Sequence, residues 1–382
     1  MQAMKTSLAL ALLTIGCATD VFDDEPATTT SVQALEGTVK PGGDGNCPNW
    51  GCMSNSPVIN GNTFHDVNED YAVRNSANFS LLSLQKKTGT TWNDGVKNYK
   101  VKVDRGQLFA LDWDSGAPAA GGVRVNGMRF VFVNHNTNPS SFYYVYIQDV
   151  GRMALWAQVP NTPTAYTYTY KLAWQYWQSS ADPKPVCTPA PANAINMLGK
   201  TPLPTYYSVL FEGDRIDAGT IADTGEELGW FNIGCAGHTL AKTYLLGHTK
   251  ASSLLLNRTT NLNQRTAMLK MLSADYCGNG MPFTVPGQPL IYGDEWGWYN
   301  MMGYADALEA RWTERGATCL NVPRVDLEPT DAGIATFIDA NHPSLESWLQ
   351  DPQWCPHRPP PCAGEADLSP FDGAHLLTGG SY

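Results

Sequence analysis

The sequence predicts an α+β protein: an N-terminal antiparallel β sandwich or barrel-like domain, then a disulfide-clipped domain with two helices and a β-hairpin. Three observations carry this. Between residues 57 and 180, runs dense in aromatic and β-branched residues alternate with Gly, Asn and Pro clusters. Beyond residue 230, two segments place apolar residues at helical spacing. Of nine cysteines, all but Cys17 lie at or after residue 47, an even set suited to pairing.

The chain opens with a short basic start, Met1 to Lys5, followed by the apolar run "SLALALLTI" (Ser7 to Ile15), too short to span a bilayer and shaped like a secretory signal. It stops at Gly16-Cys17, which resembles the lipobox of bacterial lipoproteins, with Leu13 one place further from the cysteine than usual. Residues 1–17 therefore read as a lipoprotein signal whose Cys17 is acylated, and the protein as exported and lipid-anchored in the cell envelope, at the outer membrane. Residues 18–56 are polar and rich in Thr, Asp, Glu, Gly and Pro; they bury too little apolar surface to fold alone and read as a tether.

Residues 57–180 form the β-rich domain, with strands expected at Tyr99–Arg105, Met128–His135, Ser141–Asp149 and Thr164–Trp177. Residues 181–328 form the second domain. One helix is expected in "CAGHTLAKTYLLG" (Cys235 to Gly247), and another starts at Asn261 or Asn263, with Leu262, Ala267, Met268, Met271 and Leu272 as its apolar face. A hairpin, "ALEARWT" then "ATCLNV", turns at Arg315-Gly316. Residues 329–382 suggest short helices and then an irregular Pro- and Gly-rich tail from Pro352.

Composition removes several classes of function. The net charge is −11 and no basic run occurs, which disfavours nucleic acid. No later segment reaches ~18 uninterrupted apolar residues, so no transmembrane helix is expected. Export into an oxidising compartment makes disulfides the natural use of Cys47, Cys52, Cys187, Cys235, Cys277, Cys319, Cys355 and Cys362. The close pairs Cys47/Cys52 and Cys355/Cys362 each suit a small closed loop. A zinc site built from those pairs with His357 fits neither the usual ligand spacing nor the compartment, so no metal and no cofactor are expected.

The stretch from Cys187 to Arg324 carries an ordered series: "GCAGHTLAK"; Ala274-Asp275-Tyr276-Cys277; the glycines Gly278 and Gly280; Thr284 and Gly287; and "EARWTERGATCL" with Glu309, Trp312, Gly316, Ala317 and Cys319. This series resembles the ADYC domain family, a set of uncharacterised lipoproteins found mostly in myxobacteria. The resemblance implies an envelope address and no established activity. The family pattern places an extra cysteine on each helix, near Thr243 and Met268; neither is present here, so one inter-helix bridge is missing.

Asp275 is the first candidate for chemistry. A carboxylate in a last helical turn opposes the macrodipole at a cost of ~0.3–1 kcal/mol, so a nearby donor is expected. Read structurally, Arg311, Arg315, Lys242 or Lys270 supplies it, Cys277 bridges to Cys235 or Cys319, and Gly278 is the left-handed residue that ends the helix. Read functionally, Asp275 is a general acid or base beside Tyr276 and His238, with Glu309 as a further carboxylate of a secreted hydrolase. His238 and His248 are ten residues apart, not the i, i+4 spacing of a ligand pair, and the Gly-x-Ser-x-Gly elbow is absent. "DVNED" (Asp66, Asn68, Asp70) alternates oxygen ligands as a calcium loop does. It lacks the required Gly, where Tyr71 sits, and Glu, where Ala77 sits, and reads as a solvated turn. Aromatic residues crowd segments such as "WQYW" and "DEWGWYN". Trp296, Trp298 and Tyr299, beside Asp294 and Glu295, have the ring-plus-carboxylate chemistry of a glycan site; an envelope protein is the other partner such rings suit, and core and loop packing is the plain alternative. The leading reading is a non-catalytic binding or structural role at the envelope.

Overall fold

A computed structural model describes the chain from residue 57 to residue 380, apart from 188–206, 223–228, 281–289, 324–348, 363–372 and several shorter runs. Cys17, Cys47, Cys52, Thr284, Gly287, Tyr299 and the short helices expected near 330–350 lie outside the described residues, as do the signal and tether segments.

The expected α+β architecture is present. A ten-stranded antiparallel sheet runs in the order β3 (Asp66–Asn68), β14 (Trp230–Cys235), β11 (Tyr207–Glu212), β9 (Tyr166–Tyr176), β8 (Ser141–Ala154), β7 (Arg129–Asn134), β4 (Phe79–Lys86), β5 (Lys97–Asp104), β6 (Gln107–Asp112), with β10 (Lys184–Pro185) added beside β9. It draws strands from both sides of residue 181. Two small ribbons accompany it, β1 (Val58–Ile59) with β2 (Asn62–Thr63), and β12 (Arg215–Asp217) with β13 (Thr220–Ala222). All four strands expected from the sequence are there.

The sheet curls because one face is apolar along its whole width. Phe79, Leu84, Val101, Val103, Phe130, Phe132, Val145, Ile147, Leu172, Leu210, Phe231 and Ile233 all turn into one buried core, the alternation that gives a strand one wet and one dry face. Polar side chains tie the two ends of the sheet together across this core. Glu69 accepts from Val103 N–H at 2.8 Å, Glu212 accepts from Arg105 N–H at 2.8 Å, and the Tyr170 hydroxyl accepts from Leu108 N–H and donates to Gly106 C=O. The result is barrel-like.

The outer face of β11 is also apolar. Val209 and Phe211 point away from the core and are covered by α1 (Thr239–Leu245) and α2 (Lys250–Leu255), with Phe211 stacked on Tyr244 at 5.0 Å between ring centroids. Close approach is possible because β14 offers Gly234: a Cβ there would lie 2.8 Å from Ala241 N. α3 (Leu262–Ser273) starts at Asn261 with a reciprocal capping box to Gln264. The expected apolar stripe is only part of its buried surface. Arg265 to Ser273 are all buried, since Leu269 faces the large sheet's helical layer while Ala267, Met268, Met271 and Leu272 face a second sheet.

That second sheet has the order β15 (Ile291–Asp294), β18 (Leu376–Gly380), β16 (Ala307–Thr313), β17 (Gly316–Leu320). β16 and β17 are the expected hairpin. β18 comes from the segment read as an irregular tail and pairs on both sides. Its glycines hid it: Gly379 is required because a Cβ there would meet Ala305 and the Ala307 carbonyl. Among the described residues, no helix is long and apolar enough to cross a membrane.

Three disulfides join described residues, and their pairing corrects the expectation. Cys277 bonds to Cys355, not to Cys235 or Cys319; Cys319 bonds to Cys362; Cys187 bonds to Cys235. Cys355 and Cys362 therefore close no loop with each other. They pin the C-terminal segment at two separate points, at the end of α3 and on β17, helped by Leu320 N–H to Pro360 C=O at 2.9 Å.

Only the end of "DVNED" is a solvated turn, a bend in which Asp70 is exposed and its N–H donates to Asn68 Oδ1 at 2.8 Å. Asp66 and Asn68 are buried on β3. The Asp66 carboxylate accepts from Ser76 Oγ at 2.6 Å and from Arg215 Nε at 3.3 Å, so its oxygens serve the fold. Among the described residues, no group of acidic, His and Cys side chains is arranged to hold a metal ion.

Candidate functional site

The ADYC segment lies where α3 meets the second sheet. The helix ends at Ser273, and Ala274 takes the left-handed conformation at φ 54°. Asp275 therefore lies just beyond the last turn, and Gly278 is not the residue that ends the helix. Asp275 N–H returns to Lys270 C=O at 2.9 Å, the long bond of a Schellman-type terminus. The Asp275 side chain then returns to the same residue: Lys270 Nζ donates to Asp275 Oδ2 at 2.6 Å and to Gly278 C=O at 3.1 Å. Gly280 N–H donates to the same carboxylate oxygen at 3.0 Å. Lys270 is thus held at both its carbonyl and its ammonium, and a cation near a helix C-terminus suits the macrodipole.

Both partners are sealed from water, with side-chain exposures of 2% for Lys270 and 0% for Asp275. Burial pushes the Asp275 carboxyl above its ordinary range, and Lys270 pulls against that shift. Of the four donors expected from the sequence, Lys270 is the one that meets it, through a helix end that reverses the chain within five residues.

Tyr276 points the other way, into the core of the second sheet. Its ring stacks on Trp312 at 5.1 Å, and its hydroxyl donates to Glu309 Oε1 at 2.6 Å. Trp312 Nε1–H in turn donates to Thr378 Oγ1 on β18 at 2.8 Å. The chain is then clamped by backbone: Ala317 N–H donates to Tyr276 C=O at 3.1 Å, and Gly278 and Gly316 pack against each other. Gly278 has φ +70°, and a Cβ on it would overlap the Arg315 carbonyl. The motif's glycine is set by this contact with the hairpin turn. Cys277 closes the seam by bonding to Cys355.

The proposed catalytic residues do not form one constellation around Asp275. Its side-chain partners are Lys270 and Gly280, and His238 is not among them. His238 is buried at the start of α1, its N–H bonded to Cys235 C=O. Glu309 is buried on β16 and engaged by Tyr276. What the structure brings together is Asp275 with Lys270, and Tyr276 with Glu309.

The Trp296–Trp298 ring pair is engaged with protein groups. Both rings flank His248, at 5.7 and 5.5 Å, and Arg258 lies over Trp298 at 4.3 Å. Burial, with Arg258 as a lesser cause, depresses the His248 imidazole to about 3. Sequence reasoning missed one further buried pair. Asp214, in the turn between β11 and β12, accepts from Arg265 Nε at 2.9 Å and from Lys250 N–H, at the start of α2, at 3.0 Å. Burial raises its carboxyl too, opposed by Arg265. Nothing in "EGDR" distinguishes this aspartate from an ordinary turn residue.

The geometry defines a structural brace: a helix end fastened to a small sheet by one buried ion pair, one buried Tyr–Glu bond, a glycine contact and a disulfide. The sequence profile of the ADYC domain matches residues 122–326, more than half of the 382-residue chain, and the protein belongs to that family. The match begins in the run before β7, so the domain includes the centre of the large sheet as well as the motif. No curated protein and no solved structure matches the chain.

Proposed function

We propose that this ADYC-domain protein is an exported lipoprotein, anchored through Cys17 to the cell envelope, and that it works there by binding rather than by catalysis. The observation that carries the second half is the state of Asp275. A general acid or base must reach a substrate, whereas this carboxylate is fully buried, paired and bonded to backbone. Glu309, the other carboxylate of a hydrolase reading, is buried and occupied by Tyr276. The first half is supported by three disulfides, since such bonds persist in oxidising compartments, and by the signal and lipobox pattern of residues 1–17. Replacing Cys17 with Ser and fractionating cells tests the anchor. The variant is expected to leave the membrane fraction; unchanged membrane association overturns the anchor.

A further inference from the structure

We infer that the open end of the large sheet, around Tyr143, Trp174, Tyr176 and Trp177, is a carbohydrate-binding site. This deepens the binding reading above and rests on it. A cavity of about 620 Å³ opens there, between the turn from β7 to β8 and the turn from β9 to β10, within the range of small-molecule sites and at the mouth of a barrel-like sheet, where such sites recur.

Its position follows from the register. Tyr143 pairs with Tyr176 and Val145 with Trp174, so these side chains share the face that lines the core. Deeper in, the same face is filled by Val145, Ile147 and Leu172. At the strand ends rings stand in place of aliphatic residues, with Phe79 packed on Tyr143 at 5.6 Å between ring centroids. Tyr143 is buried as the floor, with its ring 6.0 Å from Trp174 and 5.4 Å from Tyr176. Trp174 and Tyr176 are half-buried walls, and Trp177 stands at the rim, 45% exposed, with its ring edge-on to Phe142 at 6.1 Å. A tryptophan left in water gives up a large burial gain.

The chemistry of the lining selects the ligand. Sugars present C–H faces that pack on rings and hydroxyls that need both donors and acceptors. The rings here are bordered by the carboxylate of Asp182 and the ammonium of Lys184, which supply both. Both groups are exposed at the rim, where they can reach the hydroxyls of a sugar whose C–H face lies on the rings. A cationic ligand meets competition, because Lys184 Nζ already lies over the Trp174 ring at 5.6 Å.

The rim is also pre-set. Gln175 donates to Ser179 C=O at 3.1 Å and to Ala181 C=O at 2.6 Å, while accepting from Tyr146 Oη at 2.8 Å; Trp177 N–H donates to Phe142 C=O at 3.1 Å. The turn that carries Trp177 and Asp182 is thus fastened before a ligand arrives, which lowers the ordering cost of binding.

The test uses the purified full-length protein, titrated with chitotetraose, cellotetraose and maltotetraose and followed by tryptophan fluorescence and calorimetry. Choline serves as the cationic control. At least one tetrasaccharide is expected to bind, about tenfold or more weakly in Trp177→Ala, the loss of one ring contact. Trp113→Ala, at an exposed ring away from the cavity, is expected to bind as wild type does. Binding of none of the three sugars, binding indifferent to Trp177→Ala, or binding of choline alone overturns the assignment and leaves the envelope-binding reading standing. Release of new reducing ends during the incubation overturns the non-catalytic reading instead.

Discussion

Replacing Asp275 with Ala removes the carboxylate and leaves its surroundings in place. Lys270 Nζ loses its 2.6 Å partner and keeps one neutral acceptor, the Gly278 carbonyl at 3.1 Å. Its side chain is 2% exposed, so water cannot replace the lost group without local opening. Gly280 N–H loses its acceptor at the same time. Removing one member of a buried ion pair costs roughly 3–5 kcal/mol, and an orphaned buried N–H adds to the cost. Against a typical total of ~5–15 kcal/mol, that is a large fraction. Urea unfolding with disulfides intact, followed by tryptophan fluorescence, should show a clearly lowered midpoint. The double variant Lys270→Met/Asp275→Leu removes both charges and should recover most of the loss, since an apolar pair of similar volume is often as good as a buried ion pair. A loss below about 1 kcal/mol for Asp275→Ala would refute the brace. A carboxylate held in a cleft for catalysis behaves differently: its removal tends to leave stability unchanged or improve it.

Three further outcomes follow from the same structure. His248, held near 3 against an ordinary 6.5, binds fewer protons folded than unfolded; its contribution is whole above pH 6.5 and is lost as pH falls towards 3, at up to ~1.4 kcal/mol per pH unit. His248→Gln should flatten that part of a stability–pH curve, and an unchanged slope would count against the burial. Gly278→Ala combines a left-handed backbone with an overlap on Arg315 C=O; it should cost more than the ~1 kcal/mol of an ordinary glycine substitution, as read from thermal unfolding. Removing the Cys277–Cys355 bridge, which spans 78 residues, should cost about 4–5 kcal/mol on loop entropy; peptide mapping of the wild type should recover that linkage, and recovery of Cys355–Cys362 instead would disprove the pairing.

Much of the fold was legible because strands with one dry face announce themselves. β5, β7, β8 and β9 alternate or concentrate β-branched and aromatic residues, and the β16–β17 hairpin carries its turn at Arg315-Gly316. β4 and β14 escaped. β4 buries Ser80 and Ser83 among its apolar residues, and β14, "WFNIGC", is buried on both faces and so carries no period of two. α2 was missed because "KASSLL" is short and owes its start to the Thr249–Ser252 capping box. Lys270 was legible as a donor for Asp275 because it is local. The partners of Cys277 and Glu309 were not, because they depend on how β16 and the C-terminal segment reach the end of α3. The rings of "WQYW" were conspicuous in sequence, but only the register of β8 and β9 puts Trp174 and Tyr176 beside Tyr143.

The ADYC segment braces the end of α3 against the second sheet. Hydrogen–deuterium exchange at its backbone amides tests this most directly. Gly280 N–H, bonded to Asp275, and Ala317 N–H, bonded to Tyr276 C=O, are expected to exchange only through opening close to the global unfolding free energy, as core strands and helices do. In Asp275→Ala, protection of Gly280 should fall first. Exchange of both amides in the wild type at the rate of an open surface loop would contradict the account, and would return Asp275 to the candidates for chemistry.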